Sequence, residues 1–211
     1  MILKTLAVGP FASNCYLVGS EKSKRGMVID PGAEPNTILN NIEKLGLSIT
    51  LIVVTHTHVD HIGALKKVKD ATGAEFALHE LEYESWLNKK EQAFFNMMPG
   101  MSAQPVSPDR LLKENDVIEI DDLHFTVLHT PGHSRGGICL VGHGIVFSGD
   151  TLFNYGIGRT DFPGCSYAQL IDSINSKIMV LPDDTVVYPG HGPATTVGDE
   201  RRTNPFLTGI F

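Results

Sequence analysis

The stretch Thr55-His56-Thr57-His58-Val59-Asp60-His61-Ile62-Gly63 places four potential metal ligands within six residues. Imidazole nitrogens and carboxylate oxygens bind borderline divalent cations, so this spacing points first to metal chemistry. The stretch follows the apolar run Leu51-Ile52-Val53-Val54, which reads as a buried strand. The ligands therefore fall on the loop at a strand's carboxyl end, where α/β folds commonly build their sites. If the loop is extended, alternate side chains share a face, which groups His56, His58 and Asp60 and turns His61 aside. One cation does not comfortably take all four. The natural division gives His56 and His58 to one ion and Asp60 with His61 to a neighbour, as in two-metal sites. The plainer alternative is a polar loop whose imidazoles bond only to backbone.

Other chemistry-bearing residues follow short apolar runs in the same manner. Asp30 follows strand 26–29, His133 lies in His129-Thr130-Pro131-Gly132-His133-Ser134, Asp150 follows strand 145–148, and His191 lies in Pro189-Gly190-His191-Gly192. Each alone is a weak signal, but together they supply the ligand number a metal site requires. Asp30 reads either as a turn-former or as an anchor for the ligand loop. His79 reads as structural or solvent-exposed, His124 as a polar-face residue, and His143 as part of a hairpin turn. Cys15 and Cys139 lie in strand-like runs and read as core. Cys165 follows Pro163-Gly164 near the proposed site, where a reactive role is the lesser reading.

The elements that must position these groups alternate between β and α patterns. Strands are expected at 2–8, 15–18, 26–29, 49–54, 75–78, 117–120, 123–128, 138–141, 145–148 and 184–188. Helices are expected at 36–45, 63–72 and 167–180, with Lys66, Lys67 and Lys69 on an exposed face. Between residues 80 and 109 the pattern loosens, with Trp86, Phe94, Phe95, Met97, Met98 and Met101 scattered among prolines. Packing is the default reading there, with a flap or a subunit surface as the alternative. The two halves look like loose repeats of one sheet-and-helix unit, implying two packed sheets covered by helices.

No linker divides the 211 residues, so residues 1–211 are expected to form a single domain. The net charge of −7 argues against nonspecific nucleic-acid binding. Neither a long apolar span nor a basic-then-apolar leader is visible, so no membrane partner and a cytoplasmic location are expected. Three cysteines, an odd number without C-x-x-C spacing, fit reduced thiols. Oligomeric state is left open.

The ordered set resembles the metallo-β-lactamase superfamily, whose H-x-H-x-D-H loop, later His, bridging Asp and final His match His56, His58, Asp60, His61, His133, Asp150 and His191. The resemblance implies an α/β fold, a four-layer αββα sandwich of two mixed β-sheets flanked by helices. It implies two divalent metal ions, with Zn expected and Fe or Mn as alternatives. His56, His58 and His133 would hold one ion, Asp60, His61 and His191 the other, with Asp150 bridging. Gly149-Asp150-Thr151-Leu152-Phe153, Gly158-Arg159-Thr160-Asp161, Tyr188-Pro189-Gly190-His191-Gly192-Pro193 and Asn204-Pro205-Phe206 look like the glyoxalase II (hydroxyacylglutathione hydrolase) group, in its short bacterial form. That form lacks the C-terminal helical domain that supplies basic contacts to glutathione. Arg159 stands where the family has a substrate-binding Lys and Asp161 where it has a Tyr, which makes both candidates for substrate binding.

The resemblance implies hydrolysis of a small-molecule thioester such as S-lactoylglutathione by a metal-bridging hydroxide, with Asp60 and Asp150 as catalytic groups. Two cations about 3.5–4 Å apart bring the pKa of a bridging water to near 7. The rival branch is a mononuclear-iron persulfide dioxygenase, similar in its Gly-Arg-Thr-Asp loop, with His56, His133 and Asp150 on iron. A nuclease is disfavoured by the acidic chain and the lack of a basic arm. A non-catalytic binding module is disfavoured by the complete ligand set.

Overall fold

The structure, a computed structural model, describes residues 1–87 and 106–209. β1 (Ile2–Val8), β2 (Ser13–Gly19) and β3 (Arg25–Ile29) form an antiparallel meander. Helix α1 (Pro35–Leu45) crosses over to β4 (Ser48–Val53), which pairs parallel to β3. Pro at its start presets a helical φ, Ile38 and Ile42 one turn apart bury its inner face, and Gly46 at φ 64° ends it. After α2 (Val59–Ile62) and α3 (Leu65–Thr72), β5 (Glu75–His79) pairs parallel to β4. Beyond α4 (Glu80–Leu87), β6 (Arg110–Leu112) pairs parallel to β5 and completes a sheet ordered β1-β2-β3-β4-β5-β6.

The second half supplies β7 (Val117–Ile120), β8 (Leu123–His129), β9 (Ile138–Gly142) and β10 (Ile145–Gly149) as antiparallel neighbours. A small ribbon, β11 (Leu152–Phe153) and β12 (Gly156–Ile157), precedes α5 (Tyr167–Ser173), which runs on into a π-helical turn, Ile174–Ile178. β13 (Val186–Pro189) returns parallel to β10, followed by β14 (Thr195–Thr196), α6 (Val197–Thr203) and α7 (Pro205–Thr208). The sheet order is β14-β13-β10-β9-β8-β7.

Strand alternation generates the layers. Tyr16, Val18, Met27, Ile29, Leu51 and Val53 point between the sheets and meet Ile118, Phe125 and Phe147. Their neighbours Leu17, Val28 and Ile52 point the other way, onto Ile38, Leu65 and Val68 of the first helical layer. Cys139, Val146 and Val187 likewise meet Leu170, Ile174 and Ile178 behind the second sheet. Inner strands buried on both faces need apolar residues at consecutive positions, which is why they read as continuous runs. The result is the expected αββα sandwich of two mixed sheets.

Several local expectations differ. The ligand loop is not extended throughout, because Val59–Ile62 forms one helical turn and the helix expected over 63–72 begins separately at Leu65. The helix expected over 167–180 changes to π geometry at Ile174. The last long strand sits at Val186–Pro189 rather than 184–188. The loose region opens with a regular helix, Glu80–Leu87, whose Trp86 packs edge-on against Phe76. Phe94, Phe95, Met97, Met98 and Met101, and with them the flap reading, lie outside the described residues. Among the described residues, no helix is long and apolar enough to cross a membrane.

Candidate metal centre

Asp30 and Glu82 brace the ligand loop as it leaves β4. Asp30 sits at the end of β3 in a left-handed conformation, φ 51°, and is buried. Its Oδ1 accepts from Thr55 N at 2.7 Å and its Oδ2 from Thr55 Oγ1 at 2.6 Å, while His61 Nδ1 lies 3.0 Å from Oδ2. Both sequence readings of Asp30 therefore hold: it turns the chain and anchors the ligand loop. With Nδ1 donating to a carboxylate, His61 turns Nε2 toward the centre, the orientation such a backing group enforces. Glu82 Oε1 accepts from Thr57 N and Oγ1, each at 2.9 Å, and Oε2 accepts from Gly136 N at 2.9 Å. It joins the His56/His58 loop to the loop carrying His133. Sequence reasoning missed Glu82, because an acidic residue in an unpatterned stretch carries no signal of what it will bridge.

The single turn of α2 corrects the reading that turned His61 aside. Consecutive residues on a helix lie about 100° apart, so Asp60 and His61 both reach one concavity, His61 from beneath and Asp60 from the pocket side. Ser13 Oγ donates to Asp60 O at 2.6 Å, and the backbone of Gly32 passes so close that a Cβ there would lie 1.7 Å from the same oxygen. His133 donates Nδ1–H to Arg159 O at 2.8 Å, and His191 donates Nδ1–H to Phe11 O at 3.1 Å. Asn14 Nδ2 holds the His191 turn through Pro189 O and Gly192 O, both at 2.9 Å, aided by Tyr16 OH to Pro189 O at 2.5 Å. Gly190 is required because a Cβ would lie 2.1 Å from Asp150 Oδ1.

All seven residues of the H-x-H-x-D-H loop and the three later strand ends meet at one edge of the sandwich. His56, His58 and His133 each offer a ligand atom within 4.8 Å of the others, and so do Asp60, His61 and His191. Asp150 lies between the sets: Oδ2 is 3.9 Å from His56 Nε2, 3.5 Å from His133 Nε2 and 3.6 Å from His191 Nε2, and Oδ1 is 3.4 Å from His61 Nε2. Asp30, His56 and His61 also lie close enough to form a trio. Asp30, however, stands behind the His61 ring with both oxygens engaged, so its role is support.

Three features fit this donor set to cations. His56 Nε2 and Asp150 Oδ1 are buried without a hydrogen-bond partner, a costly state unless something else is bound there. Nitrogens face nitrogens, His133 Nε2 to His58 Nδ1 at 2.9 Å and His61 Nε2 to His191 Nε2 at 3.3 Å. The donors are also of the N/O class that borderline metals take. The clusters are suited to a dinuclear metal site.

Electrostatics separates the two sets. Burial, then the neighbouring imidazoles, holds His56 and His58 well below the ordinary histidine range. Burial opposes charge on His61 too, but Asp150, Asp30 and Asp60 outweigh it and push its pKa up to about 10. At His191 burial is likewise outweighed, by Asp60 and Asp150, so its pKa is raised. Against the cost of burial, His191 and His61 hold the Asp60 carboxyl well below the usual carboxylate range.

A cavity of about 350 Å³ opens over Asp60 and Asp150, walled by Phe11, Val59, Phe153, Ile157 and Phe162. Arg159 lies at its mouth, but Asp161 lines no part of it. Arg159 instead grips Asp161 in two bonds, Nε to Oδ1 at 2.8 Å and Nη2 to Oδ2 at 2.7 Å, and its guanidinium lies 3.8 Å from the Phe162 ring centroid. Cys165 Sγ donates to His133 O at 2.8 Å, and burial pushes its thiol up, which leaves it a hydrogen-bond donor rather than a thiolate. His79 is buried and stacked on His129 at 4.1 Å, while His124 and His143 occupy the expected strand face and hairpin turn.

Residues 8–191 match the metallo-beta-lactamase superfamily, and the chain belongs to that metallo-hydrolase superfamily. Within it, the chain is 38% identical over 211 residues to hydroxyacylglutathione hydrolase GloC of Haemophilus influenzae, covering 98% of both chains. It superimposes on the B3 metallo-beta-lactamase BLEG-1 with a TM-score of 0.91 and 36% identity, covering 99% of this chain and 100% of that one. A di-iron-bound form of TTHA1623 matches with a TM-score of 0.86 and 36% identity over 97% of this chain and 100% of that one.

Proposed function

We propose that residues 1–211 act as one metallohydrolase domain that cleaves acyl thioesters, with hydroxyacyl thioesters such as S-lactoylglutathione as the reference substrate. The observation that carries this reading is the placement of Asp150 between two complete ligand trios, beneath an open apolar pocket. His56, His58 and His133 would hold one divalent ion, Asp60, His61 and His191 the other, with Asp150 shared. The relationship to the Haemophilus hydroxyacylglutathione hydrolase supports the thioester class. Zinc is the proposed metal; the di-iron form of TTHA1623 makes iron the alternative to test.

Bound there, the ions would polarise the acyl carbonyl and acidify water so that a nucleophile is available near pH 7. The chain's own residues do the rest. Asp60, at the pocket floor, accepts a hydrogen bond from the attacking water and orients it. Asp30 and Arg159 O fix the His61 and His133 rings, so the ligand atoms need no rearrangement during the reaction. The apolar walls exclude bulk water from the acyl group. Water adds to the carbonyl carbon, the C–S bond breaks, and a carboxylate and a thiol result with one proton released to solvent. A thiolate leaves readily because its conjugate acid has a pKa of about 8.5, so no dedicated general acid is required.

Metal analysis of the purified protein, paired with assays of thioester hydrolysis and of glutathione-persulfide-dependent oxygen uptake, tests the proposal. Two ions per chain and thioester cleavage are expected. One iron per chain, oxygen uptake and no thioester cleavage would establish the mononuclear dioxygenase instead. The second trio, Asp60–His61–His191, favours the hydrolase.

A further inference from the structure

We propose that Asp161 is a specificity-determining residue: by pairing with Arg159 at the mouth of an apolar pocket, it directs the site to thioesters whose thiol part carries no carboxylate. The inference rests on the thioester reading above and concerns the thiol carrier. Arg159 is the sole Lys or Arg among the described residues lining the pocket. A carboxylated thiol entering over the site would look to it for a counter-ion, since a guanidinium binds a carboxylate through two parallel hydrogen bonds. Its side-on fork is already occupied. Nε and Nη2 both serve Asp161, two residues on, and the flat face rests on Phe162.

The geometry makes the pair resistant to exchange while keeping its effect modest. Both partners stand in solvent, with side chains 56% and 67% exposed, so the ion pair itself is worth little. The short sequence separation and the stacked ring nevertheless preorganise it. An incoming carboxylate must either displace one that is tethered in place or settle for the remaining Nη1 edge, and either way it approaches the charge of Asp161. An uncharged carrier meets neither penalty and gains contact with Phe11, Phe153, Ile157 and Phe162.

The test uses matched ligands on the metal-loaded protein. S-lactoylglutathione and its diethyl ester share acyl and thiol skeletons and differ in their carboxylates, and S-benzylglutathione and its diethyl ester form the corresponding pair that cannot be hydrolysed. For the wild-type chain, the ester is expected to have the higher kcat/KM and the lower Kd. Asp161→Asn frees the Arg159 fork without changing side-chain size. It should raise the acid-to-ester ratio by about twofold to fivefold in both measurements, through KM rather than kcat, and Arg159→Gln in that background should abolish the gain. A wild-type preference for the acids, or an acid-to-ester ratio unmoved by Asp161→Asn, overturns the inference. Because the benzyl pair reads binding alone, a shift in its Kd ratio without any thioester hydrolysis would uphold the role of Asp161 and reject the thioesterase reading.

Discussion

The two ligand trios meet at Asp150 but solve the problem of gathering donors in opposite ways. His56, His58 and His133 are three buried imidazoles with no carboxylate of their own. Burial and mutual repulsion hold the pKa values of His56 and His58 well below the ordinary histidine range. In the other trio, carboxylates surround His61 and His191 and raise their pKa values against the cost of burial. The first set is thus held neutral among imidazoles, whereas the second is held among carboxylates. Exposure does not divide the same way: the side chains of His56 and His133 are 2% and 6% exposed and those of His191 and Asp60 28% and 16%, but His61 in the second trio is fully buried.

Asp150→Ala tests the junction and should have the largest effect, because this side chain reaches both trios. Loss of bound metal by elemental analysis and a fall in kcat on the order of 10³-fold are expected; two ions retained at the wild-type rate would remove Asp150 from the centre. The contrast between the trios is sharpest in the metal-free protein. There His61→Ala leaves Asp30 and Asp150 without their buried partner and should lower unfolding stability by about 3 kcal/mol. His56→Ala removes an orphaned nitrogen and, beyond the cavity that either truncation leaves, should cost no more than about 1 kcal/mol. Thermal unfolding in chelator compares them, and equal losses would break the distinction.

The supporting carboxylates extend the comparison. Asp30→Asn keeps the shape behind His61 but removes its charge, and metal affinity by competitive chelation should fall about 10- to 100-fold. Glu82→Gln sets an amide donor against Thr57 N or Gly136 N and should destabilise by about 1–3 kcal/mol in a denaturant titration. A pH-dependent effect belongs to the stacked His79–His129 pair, away from the ligands. Burial, then His129, depresses the His79 pKa from 6.5 to about 4. The unfolded chain therefore takes up a proton between these values that the folded chain refuses, so stability is full above pH 6.5 and falls as pH drops toward 4. His79→Phe should flatten that part of a stability-versus-pH profile.

Much of this was readable because the chemistry is written in local patterns. The apolar runs before Asp30, His56 and Asp150 were legible as strands, since strands buried on both faces need apolar residues at every position. The ligand set followed from residue type and strand-end placement. β6, only Arg110–Leu112, was too short to declare a period. The turn Val59–Ile62 was hidden because alternating His and Asp imitates an extended loop. Glu82 and the Asn14–Tyr16 hold on the His191 turn were invisible, since their partners lie up to 178 residues away in sequence.

The sequence by itself determined the family, the layered α/β plan and the candidate donors, because local periodicity and ligand spacing carry that information. Only the tertiary structure decided how the donors divide. Whether an imidazole is neutral or protonated depends on which carboxylates the packing brings within a few ångströms. It also decided that Arg159, at the pocket, is paired with Asp161, because a guanidinium's partner is set by geometry in space and not by its place in a motif.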